Sequence, residues 1–269
     1  MSDLFSDKLA AWRDYTATPW ARIRYAVVAD VLRRHVAELG ERLRILDVGG
    51  GDGRDSIPLA ASGHEVTIVD PARRWLDEAE RGAAEAGAAV NTVEAGLDDL
   101  PDGEWDLVLC HYVLRYREAG SDDVAALAQR VRPGGRLSIM DVNPDGRVLR
   151  ALVDGGPGSA LGELAAERAT VKTFRTDARK VTSSQTETEM TAAGLRPLAL
   201  YGTRIANDLI IDNSVKDDPA YFSELLDLEL ELCDREPFNR IGAAWQVIAE
   251  RPIRTSSSGS APASAGCAR

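Results

Sequence analysis

Two apolar rhythms alternate along this chain. Compact apolar runs end at Val48 and Asp70 and recur over Ala88–Glu94, Trp105–Cys110 and Arg136–Val142. Between them, apolar residues fall at helical spacing. The clearest case is residues 21–39, with Ile23, Val27, Val28, Val31, Leu32, Val36 and Leu39 on one stripe and Gly40 as a terminator. Residues 72–86 and 121–131 repeat the pattern, and Arg132-Pro133-Gly134-Gly135 reads as a turn. Strands alternating with helices predict an α/β fold with a parallel sheet.

The region 143–181 breaks this rhythm. It carries Gly155-Gly156-Pro157-Gly158 and little strand pattern, so it reads as an insertion after the fifth strand that covers the mouth of a site. Ser184-x-x-Glu187 is a capping box that predicts a helix ending near Gly194. Strands near 196–205 and 243–250 are expected to close the sheet as an antiparallel pair, with a helix over 219–233 between them. The small, polar stretch 255–269 is expected to be disordered. The expected division is an N-terminal helical segment 1–42, a main domain 43–254 and that tail.

Residues 45–70 carry the most chemistry. Ile45–Val48 runs into Gly49-Gly50-Gly51-Asp52-Gly53, and the next apolar run stops at Asp70. In an open parallel sheet ligands bind beyond the carboxyl ends of the strands, so the glycines and Asp70 face one crevice. Glycines let backbone approach a ligand closely, and an acid after the second strand accepts from both hydroxyls of a ribose. The dinucleotide spacing G-x-G-x-x-G fails, because its third place is Arg54. The pattern is instead Asp47-x-Gly49-x-Gly51-x-Gly53, which resembles the first motif of class I S-adenosylmethionine (SAM)-dependent methyltransferases. An acid inside that loop suits the cofactor's ammonium.

Composition narrows the partners. The 269 residues carry a net charge of −11, which repels a phosphate backbone and argues against nucleic acid. Cys110, Cys233 and Cys267 are far apart, without a C-x-x-C, so neither a disulfide framework nor a metal site is expected. No apolar run is long enough to span a bilayer, and the N-terminus has no secretory pattern, which together predict a cytoplasmic protein.

The order of elements is similar to the class I methyltransferase fold, which implies a Rossmann-like, seven-stranded, mostly parallel sheet with an antiparallel final strand and an N-terminal helical lid. More narrowly, the chain resembles the tRNA methyltransferases that esterify wobble uridine 5-oxyacetic acid, through IRYAVV, LDVGGGDG, WDLVLCHYVL, RPGGRLSIM and CDREPF. That resemblance implies that Arg24 holds the SAM carboxylate, that Gly50 and Gly51 approach the cofactor and that Asp70 takes the ribose. It also implies that Gly96 and Leu97, with Asp98 beside them, flank the adenine, and that His111 joins the site. The ordinary alternatives are a solvated helix arginine at 24, a turn cap at Asp98 and a structural histidine at 111. One departure stands out. After the fifth strand the family carries a lysine-rich stretch, and here the sequence is GGPGSALGELAAERATVKTFR.

Methyl transfer from a sulfonium needs orientation and exclusion of water, and a general base only where the acceptor must lose a proton. His111 is the candidate base. Tyr112, Arg115, Tyr116 and Arg204, with Tyr15 and Trp20 from the N-terminal segment, are candidates for the acceptor side, and the two arginines suit an anionic acceptor. The expected function is transfer of a methyl group from SAM to a hydroxyl or carboxylate oxygen of a small metabolite. The alternatives are carboxyl methylation of a tRNA wobble uridine, and a methyltransferase fold that binds SAM or its product while catalysing another reaction.

Overall fold

In the computed structural model, residues 9–171 and 176–253 are described. The stretch 255–269, expected to be disordered, lies outside them.

Helix α1 (Leu9–Thr16) leads into α2 (Pro19–Leu39). The Thr18 side chain caps α2 by accepting from the Ala21 amide, Pro19 occupies the first turn and Gly40 ends it at φ 123°. The apolar stripe of α2 is buried from Ile23 to Val36. Next come β1 (Arg44–Val48), α3 (Ile57–Ala61), β2 (Glu65–Asp70), α4 (Arg73–Glu85), β3 (Asn91–Glu94) and β4 (Trp105–His111). They are followed by α5 (Asp123–Arg130) and β5 (Val131–Val142).

The main sheet has the order β3-β2-β1-β4-β5-β9-β8, where β8 is Arg196–Thr203 and β9 is Ala244–Glu250. Within this sheet, β9 alone of the described strands runs antiparallel, against both β5 and β8. Alternation along each strand feeds two cores. Leu107 and Leu109 of β4 pack with α2 on one face, and Val108 and Cys110 pack with α5 on the other. The sheet is therefore covered on both sides, as its apolar strands require. The Arg132–Gly135 turn survives as an excursion within β5. The pairing jumps from Trp105↔Val131 to Leu107↔Arg136, and Gly134 takes φ 78°.

The region 143–181 corrects the expectation made for it. It is a helix, α6 (Pro144–Ala165), bent where Gly156 leaves helical geometry, followed by a hairpin of β6 (Arg168–Val171) and β7 (Thr176–Arg179). The hairpin docks where β4 ends: Arg179 Nε donates to the Leu114 carbonyl at 2.9 Å. Helix α7 (Ser183–Ala192) starts two residues before the expected box, with Thr182 and Gln185 as its reciprocal cap. Helix α8 (Pro219–Leu232) packs on α2.

Candidate active site

Strand order reverses between β1 and β4, and the carboxyl ends of these two strands open onto one cavity of about 380 Å³. The loop after β1 forms its floor. Gly49 has φ 67°, and a Cβ there would sit 2.4 Å from the Val113 side chain, so only glycine lets the loop pass beneath the turn after β4. Gly50, Gly51, Asp47 and Asp70 line the same cavity, as do Gly96, Leu97 and Asp98 from the turn after β3.

Asp70 is held from two sides. The Gly51 amide donates to Oδ2 at 3.1 Å and the Ala72 amide to Oδ1 at 2.9 Å. Burial raises this carboxyl to about 6 against the pull of those two amides. Asp47 lies beneath Gly50, 2 % exposed, with Oδ2 buried and without a hydrogen-bond partner among the described residues. Burial raises it as well to about 6, with the Ser56 hydroxyl and His111 working the other way. Asp98 is largely exposed and pairs with Arg117, which also holds Asp123.

Arg24 reaches the cavity from α2 and is almost fully buried. Its guanidinium lies 4.3 Å from the Tyr25 ring centre and 4.9 Å from that of Tyr112. Its two terminal nitrogens donate to Asp55 Oδ1 and Oδ2, each at 2.7 Å. His111 is joined to the same carboxylate, with Nδ1 2.8 Å from Asp55 Oδ2 and Nε2 2.8 Å from Ser138 Oγ. Gln246 donates to that Ser138 oxygen at 2.9 Å. With Nδ1 donating to Asp55, Nε2 is left to accept from the Ser138 hydroxyl, so both ring nitrogens are engaged. Burial works against the Asp55 charge, and Arg24 with His111 overcomes it, holding the carboxyl at about 2.

The acceptor-side candidates divide. Tyr112 and Tyr116 line the cavity. Tyr112 takes φ 62° and donates its amide to the Met140 carbonyl at 2.7 Å, which fixes the first residue after β4. Arg115, Arg204, Tyr15 and Trp20 are not among the lining residues. Arg115 turns toward Asp141 at 2.9 Å, and Arg204 pairs with Asp208 at 2.6 Å. Tyr15 stacks behind Trp12, with ring centres 5.3 Å apart. Trp12 itself lines the cavity, and so do Tyr25, Asp52 and Asp55, none of which stood out in the sequence. Among the described residues, none of 143–181 lines it; Pro144, Arg147, Ala169 and Ala178 instead border a small cleft beside the site, next to Asp141.

The lining fits SAM. Five aspartates and three arginines surround the cavity, a balance that favours a ligand carrying a sulfonium. Asp47 Oδ2 and Arg24 Nε are buried without partners among the described residues.

A family described as Methyltransferase domain matches residues 45–135. The tRNA 5-carboxymethoxyuridine methyltransferase of Escherichia coli strain K12 is 27% identical over 246 residues, 89% of this chain and 92% of that protein. The chain is a class I SAM-dependent methyltransferase. A ubiquinone biosynthesis O-methyltransferase of Rickettsia canadensis is 30% identical over 122 residues, 45% of this chain and 51% of that protein. In fold, this methyltransferase matches the magnesium protoporphyrin IX methyltransferase of Synechocystis PCC 6803 solved with bound S-adenosylhomocysteine (SAH), with a TM-score of 0.62, 20% identity and coverage of 93% and 97% of the two chains. Among the described residues no helix is long and apolar enough to cross a membrane.

Proposed function

We propose that this methyltransferase works in the cytoplasm on an oxygen of a small acceptor that is already ionised near neutral pH, a carboxylate or an acidic phenol. The observation that carries this reading is the state of His111. Both its ring nitrogens are engaged, by Asp55 and Ser138, so the residue expected as a base offers no free nitrogen to the cavity. Its role becomes that of a positioning residue for Asp55. An acceptor that arrives deprotonated needs no base.

SAM, when bound, supplies a methyl group activated by the charge of its sulfonium. The chain's own residues do the rest. Asp70 receives the ribose, the loop Gly49–Gly51 lies along the cofactor, and Gly96 and Leu97 flank the base. Trp12, Tyr25, Tyr112 and Tyr116 present aromatic faces that exclude water and suit a planar acceptor. Burial pushes the Tyr112 phenol up, so it stays protonated and can donate to the acceptor oxygen. Arg115 and Arg204 are each matched by a carboxylate of the same chain, and the net charge is −11, so support for a polyphosphate acceptor is weak.

The second reading is carboxyl methylation of a tRNA wobble uridine, favoured by the E. coli relative that spans 89% of the chain. Incubation with SAM bearing a tritiated methyl group, against carboxylates, phenols and bulk tRNA, separates the two. Label in a small-molecule fraction is expected. Label in tRNA would replace the first reading with the second.

A further inference from the structure

The arginine expected to hold the SAM carboxylate already holds a carboxylate, that of Asp55. The two side chains form a buried bidentate pair in the cavity wall, 6 % and 10 % exposed. The methionine end of SAM is a zwitterion that carries the same two charges. An arginine and an aspartate side by side can receive both, the guanidinium taking the carboxylate and the aspartate taking the ammonium.

Donor and acceptor capacity allows it. Asp55 Oδ2 accepts from Arg24 and His111, whereas among the described residues Oδ1 accepts from Arg24 alone and keeps a lone pair. Arg24 has five N–H donors, and its Nε–H has no partner among the described residues. Competing acids are less suited. Asp52 is engaged by the Trp12 indole and by Arg54. Asp47 touches the cavity but lies packed under Gly50, where a Cβ on that glycine would meet its carboxylate at 2.6 Å, so the loop narrows its approach to the ligand. Asp70 is committed to the two loop amides at the other strand end.

We propose that Asp55 is a cofactor ligand that takes the α-ammonium of SAM, with Arg24 taking the carboxylate and His111 fixing the Asp55 side chain from behind. The ammonium contact thereby moves from Asp47, where the glycine-loop pattern put it, to a residue four places beyond Gly51.

Calorimetry tests this with two ligands: SAH, and the SAH analogue that keeps its carboxylate but lacks the amino group. Asp55→Asn is expected to weaken SAH tenfold or more, the loss typical of a charge-assisted hydrogen bond, and to leave the amine-free analogue within twofold. An equal loss for both ligands would mean that Asp55 acts only by holding Arg24, and would overturn the proposal, as would no loss for either. If Asp55→Asn does not fold, Asp47→Asn is taken through the same comparison. The proposal expects it to affect both ligands alike; a loss confined to the amine-bearing ligand would return the ammonium to Asp47 and reject Asp55.

Discussion

Trp12 and Asp52 are 40 residues apart in sequence, and the Trp12 indole Nε1 donates to Asp52 Oδ2 at 2.8 Å. This bond ties α1 to the glycine loop. Trp12 also meets Trp75 edge-on at 5.7 Å, so the helix docks through both polar and aromatic contact. Trp12→Phe keeps a ring and removes the donor. The expected cost is about 1 kcal/mol of docking, read as faster hydrogen exchange over 9–16 and a few-fold weaker SAM binding. Unchanged exchange would show that the Trp12–Asp52 bond adds nothing to α1 docking, leaving it to the rings and the Arg13–Glu78 pair.

Asp70→Ala removes the proposed ribose acceptor and frees the Gly51 and Ala72 amides. Affinity for SAM should drop about tenfold or more, roughly 1.5–3 kcal/mol. Adenosine should lose a similar factor, since it keeps the ribose. Calorimetry with both ligands checks this; a loss for SAM without one for adenosine would take Asp70 off the ribose.

The two raised aspartates predict a pH dependence with a definite sign. Asp47 goes from an ordinary 3.8 to about 6 on folding, so between those values the folded chain binds the proton more readily than the unfolded one. Stability is then favoured at low pH and is lost as pH rises through about 6, where the buried carboxylate must carry its charge. Asp47→Asn should therefore stabilise the free protein at pH 7.5 by about 1–3 kcal/mol, with the gain vanishing toward pH 4. Thermal melts across that range measure it. A gain that is constant with pH would have another origin.

Arg204 is not among the cavity-lining residues and pairs with Asp208, next to a turn held by Glu229. The Glu229 carboxylate accepts from the Ile205, Ala206 and Asn207 amides at 2.8, 2.9 and 2.8 Å. Arg204→Ala is expected to leave SAM affinity within twofold and to cost about 2 kcal/mol of stability, because Asp208 is left mostly buried without its cation, with the Asn207 amide as its remaining side-chain donor among the described residues. Removing Asp208 as well should recover part of that loss. A large fall in SAM affinity with the melting temperature unchanged would place Arg204 in the cofactor site.

The sheet was legible because each strand repeats one rule. Alternation at Leu107, Val108, Leu109 and Cys110 assigns side chains to two cores, and no long-range knowledge is needed to see it. Helix α6 was not legible. It buries only Gly146 and carries Pro157 at its bend, so it has no apolar stripe to read. Two overlapping boxes, Thr182-x-x-Gln185 and Ser184-x-x-Glu187, have the same spacing, and nothing local chooses between them. Asp70 could be found because its place at a strand end puts it on the cavity wall. Asp55 could not, because its partners Arg24 and His111 lie 31 and 56 residues away and only the folded chain brings them to it.

The position of β9 sets the order in which the molecule can be finished. It is the last strand in sequence among the described residues, yet it lies inside the sheet, between β5 and β8. As the chain emerges from the ribosome, β1 to β5 can pair in turn, because each finds its neighbour already made. β8 cannot, since its one neighbour in the sheet has not been synthesised. Until residues 244–250 are in place, β5 is an open edge. A chain that stops short of residue 244 would therefore leave the β5 edge open, the kind of border that invites pairing with another chain.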